Sequence, residues 1–207
     1  MQKIFAIGAI SAAALCALFG ASNASAQTAT LNFNGNLTSG TCTLSVDGGA
    51  GTTVTLPTIS VTSFTTNNPE QGRTRFMLHL SACTGKNIAG NDISVAVPYF
   101  DYTSANVNPS TNNLYNGSAG TASGVELRLL DGVSTDQILL SAAPTTTAPA
   151  AGTLTAQNVT VASIAGTTGS SNQGTASIPL YVEYYATGGQ PGAGSVTNYV
   201  PITMQYN

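Results

Sequence analysis

The chain has 207 residues, of which only 6 % are charged, and its formal net charge is −3. Five basic residues scattered along that length make no basic stripe, which argues against nucleic acid and anionic membrane surfaces as partners. A surface solvated by Thr, Ser, Asn and Gly offers little repulsion against self-association and suits an assembling subunit better than a freely diffusing enzyme.

Met1-Gln2-Lys3 is a short basic start, Ile4 to Gly20 is apolar and small, and Asn23-Ala24-Ser25-Ala26 has a small-x-small cleavage pattern. Residues 1–26 read as a secretory signal that is removed in the mature protein. A membrane anchor is the competing reading, but the apolar core is short and breaks at Gly20. Lipid attachment at Cys16 is disfavoured by the bulky Leu15 before it. Removing 26 of 207 residues leaves 181, enough for one domain with a substantial core and no membrane insertion of its own. Four basic residues then face eight carboxylates, a net charge of −4.

The next segment, residues 27–40, is written as a strand. Ala29, Leu31, Phe33 and Leu37 recur at period two with Asn or Thr between them, and Gly35 interrupts the apolar face. An ordinary strand glycine at a bulge explains Gly35 equally well. A terminal segment frays unless something ties it down, so a half-apolar strand here points to a partner outside the molecule.

Residues 41–207 form the single globular domain. Cys42 and Cys83 are the two cysteines left after the signal, and in a secreted chain an even pair reads as a disulfide. A metal site is the alternative, but two cysteines and the single His79 are too few ligands for a closed zinc site. Strands are expected over 29–46, 53–62, 74–83, 92–98, 125–130, 137–140, 153–164, 176–186 and 197–206. Alternation is clearest where Phe76, Leu78 and Leu80 share a face, and where Ile178, Leu180, Val182 and Tyr184 point inward and leave Glu183 outside. Residues 103–123 and 141–152 are rich in Ser, Thr, Asn, Gly, Ala and Pro and read as exposed loops. Short strands between turn signals argue an all-β antiparallel sandwich.

The chain closes on a second half-apolar strand, with Val200, Ile202, Met204 and Tyr206 on one face and Gly194 in the turn before it. Pro201 lies on the opposite face and removes one ladder donor. Catalysis has little support: His79 alternates with core residues on a strand, and the carboxylates Asp92, Asp101, Glu126, Asp131, Asp136 and Glu183 lack metal-loop spacing. Asp131-Gly132 reads as a turn. Three Asn-x-Ser/Thr matches, at Asn36, Asn116 and Asn158, are expected by chance in so Asn- and Thr-rich a chain.

The combination Leu31-x-Phe33-x-Gly35-x-Leu37, Cys42, Cys83, Gly194 fourteenth from the end and Tyr206 next to last resembles the pilin subunits of chaperone–usher fimbriae, close to the type 1 pilus group. The stretch Tyr184 to Gly194 is similar to that group's last hairpin, and the match is weak across 103–175. The resemblance implies an incomplete immunoglobulin-like sandwich that lacks its final strand. It implies that Ala29, Leu31, Phe33, Gly35 and Leu37 enter successive pockets of a neighbouring subunit, with Gly35 over a shallow one. It implies an acceptor and chaperone-binding strand formed by Gly194, Val200, Ile202, Met204, Tyr206 and Asn207, first filled by a periplasmic chaperone whose basic side chains hold the Asn207 carboxylate. An outer-membrane usher then exchanges that strand for the next subunit's N-terminal one.

The leading expectation is therefore a structural, non-enzymatic, cofactor-free subunit of a cell-surface fimbrium, exported through the periplasm and supporting adhesion. A main rod subunit is preferred to a minor or tip-adaptor subunit, because one pilin-sized domain carries a complete donor strand. A monomeric secreted sugar-binding sandwich is the reading from another class; the lack of Trp counts against it. A secreted hydrolase lacks a nameable acid–base pair.

Overall fold

A computed structural model describes residues 40–47, 52–87, 89–145, 149–166 and 174–207. The expected signal and the N-terminal strand segment lie outside the described residues. Among the described residues nine strands order as β1 (Thr41–Val46), β2 (Glu70–Thr84), β3 (Val95–Phe100), β4 (Val107–Asn108), β5 (Asn113–Tyr115), β6 (Val125–Asp131), β7 (Ala162–Ser163), β8 (Gly174–Ala186) and β9 (Ile202–Tyr206). Every pairing is antiparallel. The larger sheet runs β1-β2-β8-β6-β5-β4 and the smaller β7-β3-β9. The all-β antiparallel sandwich expected from the turn-punctuated strands is the observed architecture.

Period two explains the central strands. Phe76, Leu78 and Leu80 of β2, Leu127 and Leu129 of β6, and Ile178, Leu180 and Val182 of β8 are buried, and they pack with Val97 and Phe100 of β3 into one core. The disulfide Cys42–Cys83 forms as expected and joins the first residues of β1 to the end of β2. Pro179 sits in a central strand, where a missing N–H is normally costly. It is accommodated where β6 ends, and the Gly132 N–H donates to the Pro179 carbonyl at 2.9 Å, an approach so close that a Cβ on Gly132 would overlap the Pro179 backbone.

Three expectations are corrected. Residues 53–62 are extended but carry no ladder among the described residues, and they end in a 3-10 turn at Val61–Ser63. The supposed loop 103–123 contains the β4–β5 hairpin. The supposed strands 137–140 and 153–164 hold only isolated bridges and β7, because side chains rather than ladders shape this region. The Gln157 amide accepts from Phe100 N and donates to Phe100 O, imitating a paired strand along the stretch of β3 that β7, paired only with Val95 and Ala96, leaves open. Glu126 accepts from Asn108, Thr111 and Asn113. The residues 131–134 turn is present as expected, but Asp131 is fully buried and accepts from Val133 N, Ser134 N, Thr160 N and the Thr160 hydroxyl.

Burial pushes the Asp131 carboxyl up, but the bonds from Ser134, Thr160 and Val133 outweigh it, and the net shift is downward. A carboxyl depressed in the folded state adds stability that is present above its ordinary value and lost as pH falls through the folded-state value. Asp131→Asn should therefore lower stability near neutral pH by about 2 kcal/mol, the cost of leaving buried donors poorly met. It should also flatten the acid limb below the usual carboxylate range in urea-midpoint measurements; an unchanged acid limb contradicts this role.

Glu183 points to the outer face as expected, yet it is 1 % exposed rather than open to solvent. Arg73 Nε donates to one oxygen at 2.7 Å and Arg128 Nε to the other at 2.7 Å, while Arg128 also pairs with Glu70 at 2.9 Å. The guanidiniums lie over Tyr181 and Tyr185, so two arginines and their aromatic supports close over the carboxylate. Glu183→Gln should cost about 3 kcal/mol, the low end for breaking a buried pair because Arg73 is half exposed. A chemical-denaturation midpoint within error of the parent excludes that contribution.

Candidate functional site

The last strand is the most informative edge of the molecule. Strand β9 pairs with β3 on one side, with Ala96 opposite Tyr206, Pro98 opposite Met204 and Phe100 opposite Ile202. Among the described residues no strand pairs its other side. Pro201 falls just before the strand but faces Asp101 at a hydrogen-bonded position of the register, so its carbonyl accepts from Asp101 N at 2.9 Å while the reciprocal bond is missing, as expected. Val200, Ile202, Met204 and Tyr206 are half-buried and packed against the core, as an edge strand lining a groove requires.

The facing wall was not assigned from the sequence. It comprises Ile59 and Val61, which share a depression with the run Pro191–Val196 before β9, preceded in the unpaired segment after β1 by Val54 and Leu56, which pack on the core; all four are half-buried. The alternation of Val54 and Leu56 was its signal, but period two says only that a segment is extended, not that its ladder partner is missing. The Tyr184 hydroxyl donates to the Pro57 carbonyl at 3.3 Å and the Gln71 amide to Ser63 O at 3.0 Å, which fastens this wall to the larger sheet. Gly72, at a φ of +69°, makes the bulge that leaves room for the Tyr184 ring; a Cβ there would come within 3.0 Å of it.

At the far end of β9, burial pushes the Tyr206 phenol up while a bond to the Cys42 backbone pulls it down, so Tyr206 reaches across to β1. A Cβ on Gly40 would meet Ile93 at 2.9 Å and Tyr206 at 3.3 Å, so a larger residue here would have to displace the Ile93 side chain. Asn207 O accepts from Ser94 N at 2.7 Å and Val95 N at 3.0 Å, which anchors the terminus in the fold. At the near end, a depression of about 420 Å³ is lined by Ile59, Val61, Phe64, Val125, Tyr184 and the run Pro191–Val196. Gly194 belongs to that lining because the Ala122 backbone passes so close that a Cβ would overlap it.

Five of the six expected acceptor residues, Val200, Ile202, Met204, Tyr206 and Asn207, thus lie along one edge, with Gly194 at its head. The expected donor residues Ala29, Leu31, Phe33, Gly35 and Leu37 lie outside the described residues. His79 sits on the strand surface with Nδ1 3.0 Å from the Ser177 hydroxyl, not beside an acid or a nucleophilic pair. The Asn116 and Asn158 amides donate within the fold, to Ala122 O and Gln137 O. No group of three or more His, Cys, Asp or Glu that could hold a metal occurs among the described residues. Among the same residues no helix is long and apolar enough to cross a membrane.

A family model described as Fimbrial protein matches residues 31–207. The chain is 36 % identical over 185 residues to the Major fimbrial subunit SMF-1 of Stenotrophomonas maltophilia (strain K279a), covering 89 % of this chain and 95 % of that protein. Among solved structures, the CupB6 tip adhesin from Pseudomonas aeruginosa aligns at 18 % identity with a TM-score of 0.38, over 65 % of this chain and 30 % of the adhesin's.

Proposed function

Because the chain belongs to the fimbrial protein family and is a structural subunit of a fimbrium rather than an enzyme, we propose that it polymerises by donating residues 27–37 to the groove beside β9 of the preceding copy. The observation that carries this reading is β9 itself: an apolar, half-buried strand with one unpaired edge among the described residues. An open edge of that kind is a template for strand addition and an aggregation hazard if left bare. Every ladder among the described residues is antiparallel, so a donor that continues the pattern runs against β9. Ala29 then lies near Tyr206 and Leu37 reaches the depression lined by Pro191–Val196. Leu31, Phe33 and Leu37 bring on the order of 5–9 kcal/mol of apolar burial, and each ladder bond adds about 1 kcal/mol.

The same edge needs a cover before assembly, which favours a periplasmic chaperone that lends a strand and an outer-membrane usher that supervises its replacement. A main rod subunit supporting cell adhesion is the role favoured, in line with the name of the Stenotrophomonas relative. Residues 1–26 act as the export signal on this reading.

Complementation tests it. A chain lacking residues 27–37, purified with its chaperone, should take up a synthetic peptide of residues 27–37 and give a complex that survives unheated SDS. A peptide with Phe33→Asp should not. If the parent peptide neither displaces the chaperone nor raises the thermal midpoint, the groove is not a strand acceptor.

A further inference from the structure

The head of the groove carries three exposed tyrosines that its apolar lining does not use. Tyr199 is 71 % exposed, Tyr102 44 % and Tyr115 42 %. Backbone and amide bonds hold them together: Asn198 Nδ2 donates to Tyr115 O at 2.7 Å, Asn106 Nδ2 to Tyr199 O at 3.0 Å, and Tyr115 N to Asn106 O at 2.9 Å. Asp101, next to Tyr102, donates its N–H to Pro201 O at 2.9 Å. The same framework borders the depression, since Thr121 N and Ala122 N both donate to Ser195 O and Gly117 N to Thr197 O. Tyrosine is the residue type that interfaces concentrate, and a rigid frame lowers the entropy cost of using it.

Chain length says what must come near. If Leu37 of a neighbouring copy occupies the depression, four residue steps separate it from Thr41, where that copy's β1 begins; fully extended, they span at most about 14 Å. The neighbour's globular body is therefore tethered directly over this pole. The part of it that lies beside the start of β1 is fixed by the fold. Thr41 pairs with Thr84, and the turn that follows β2 is closed by Ile93 N donating to Gly85 O and by the Lys86–Asp92 ion pair, both members of which are exposed.

We propose that Tyr102, Tyr115 and Tyr199 form a seat for the body of the next copy, which rests on them through its 84–93 turn. This rests on the strand-donation reading above. The contact is head-to-tail, with different surfaces meeting, so it repeats along the fibre without closing. The exposed lysine and the asparagines of the 84–93 turn supply a cation and amides to tyrosine faces and hydroxyls. A tether alone leaves successive bodies free to swing; a seat of this kind fixes their angle.

Photo-crosslinking in assembled fibres tests the seat without disturbing the groove. The full chain is expressed with chaperone and usher, carrying a benzophenone amino acid in place of Tyr199 or, as a control, of Val133, which is 63 % exposed in the residues 131–134 turn. After irradiation and heating in SDS, the Tyr199 position should give a crosslinked dimer whose joined peptides include residues 84–93, and the Val133 position should not. Fibres that form normally but give no Tyr199 crosslink, or one mapping away from the 84–93 turn, overturn the seat and leave strand donation standing. Failure of the parent chain to form any SDS-resistant polymer overturns both.

Discussion

Phe33→Asp is expected to remove fibres from the cell surface while leaving the subunit folded in the periplasm. On the strand-donation reading proposed above, the phenylalanine is the largest of the apolar side chains given to the neighbouring groove, worth about 3 kcal/mol on burial. Placing a carboxylate in an apolar groove adds several kcal/mol of desolvation, and among the described residues the depression at its head has no cation in its lining. The combined penalty is comparable to the whole apolar contribution of the donor strand, so the polymer should vanish rather than weaken. The subunit's own core should be untouched, since the donor strand completes another copy. Asn32→Asp places the same charge on the opposite, solvent-facing side of the strand and should assemble normally. Immuno-electron microscopy of cells, with the periplasmic pool quantified alongside, separates the two outcomes; loss of fibres in both variants, or in neither, contradicts the assigned faces.

Removing the Cys42–Cys83 disulfide is expected to be the most damaging change within the domain. The bond closes a sequence separation of 41, which on the chain-entropy model is worth about 4 kcal/mol. A domain of ordinary stability has about 5–15 kcal/mol in total. The local consequences are specific, because Cys42 sits beside Tyr206 and anchors the start of β1, one corner of the groove. Cys42→Ala/Cys83→Ala should therefore lower the steady-state amount of subunit and leave the remainder poor at accepting a strand. Denaturant unfolding of the chaperone-free subunit, with and without reductant, measures the term; coincident midpoints remove the disulfide from the account.

The parts of the fold that sequence reading recovers are those in which one period decides everything. Strands β2 and β8 alternate between core and surface through their central stretches, and both were legible. The apolar face of β9 was legible for the same reason. Apart from β6, the region from 103 to 161 was not, because its backbone is held by individual side chains. Gln157 on Phe100, Glu126 among Asn108, Thr111 and Asn113, and Asp131 under Thr160 each require a partner distant in sequence. No periodicity announces such a bond. Glu183 was misplaced for a related reason: alternation correctly puts it on the outer face, but only the cross-strand neighbours Arg73 and Arg128 reveal that the outer face covers it. In the groove, the sequence pointed to one wall and missed the other, since Val54 and Leu56 look alike whether their strand is paired or bare.

Strand donation between copies is tested most directly by fibres sheared from cells producing the parent chain together with its chaperone and usher, dissolved in SDS and run on a gel before and after boiling. A core strand contributed by a neighbour must be stripped out before subunits separate, so the polymer should persist kinetically in cold detergent. The account predicts a ladder of regularly increasing mass without heating that collapses to a single subunit band after it. A monomer band in the unheated lane contradicts it.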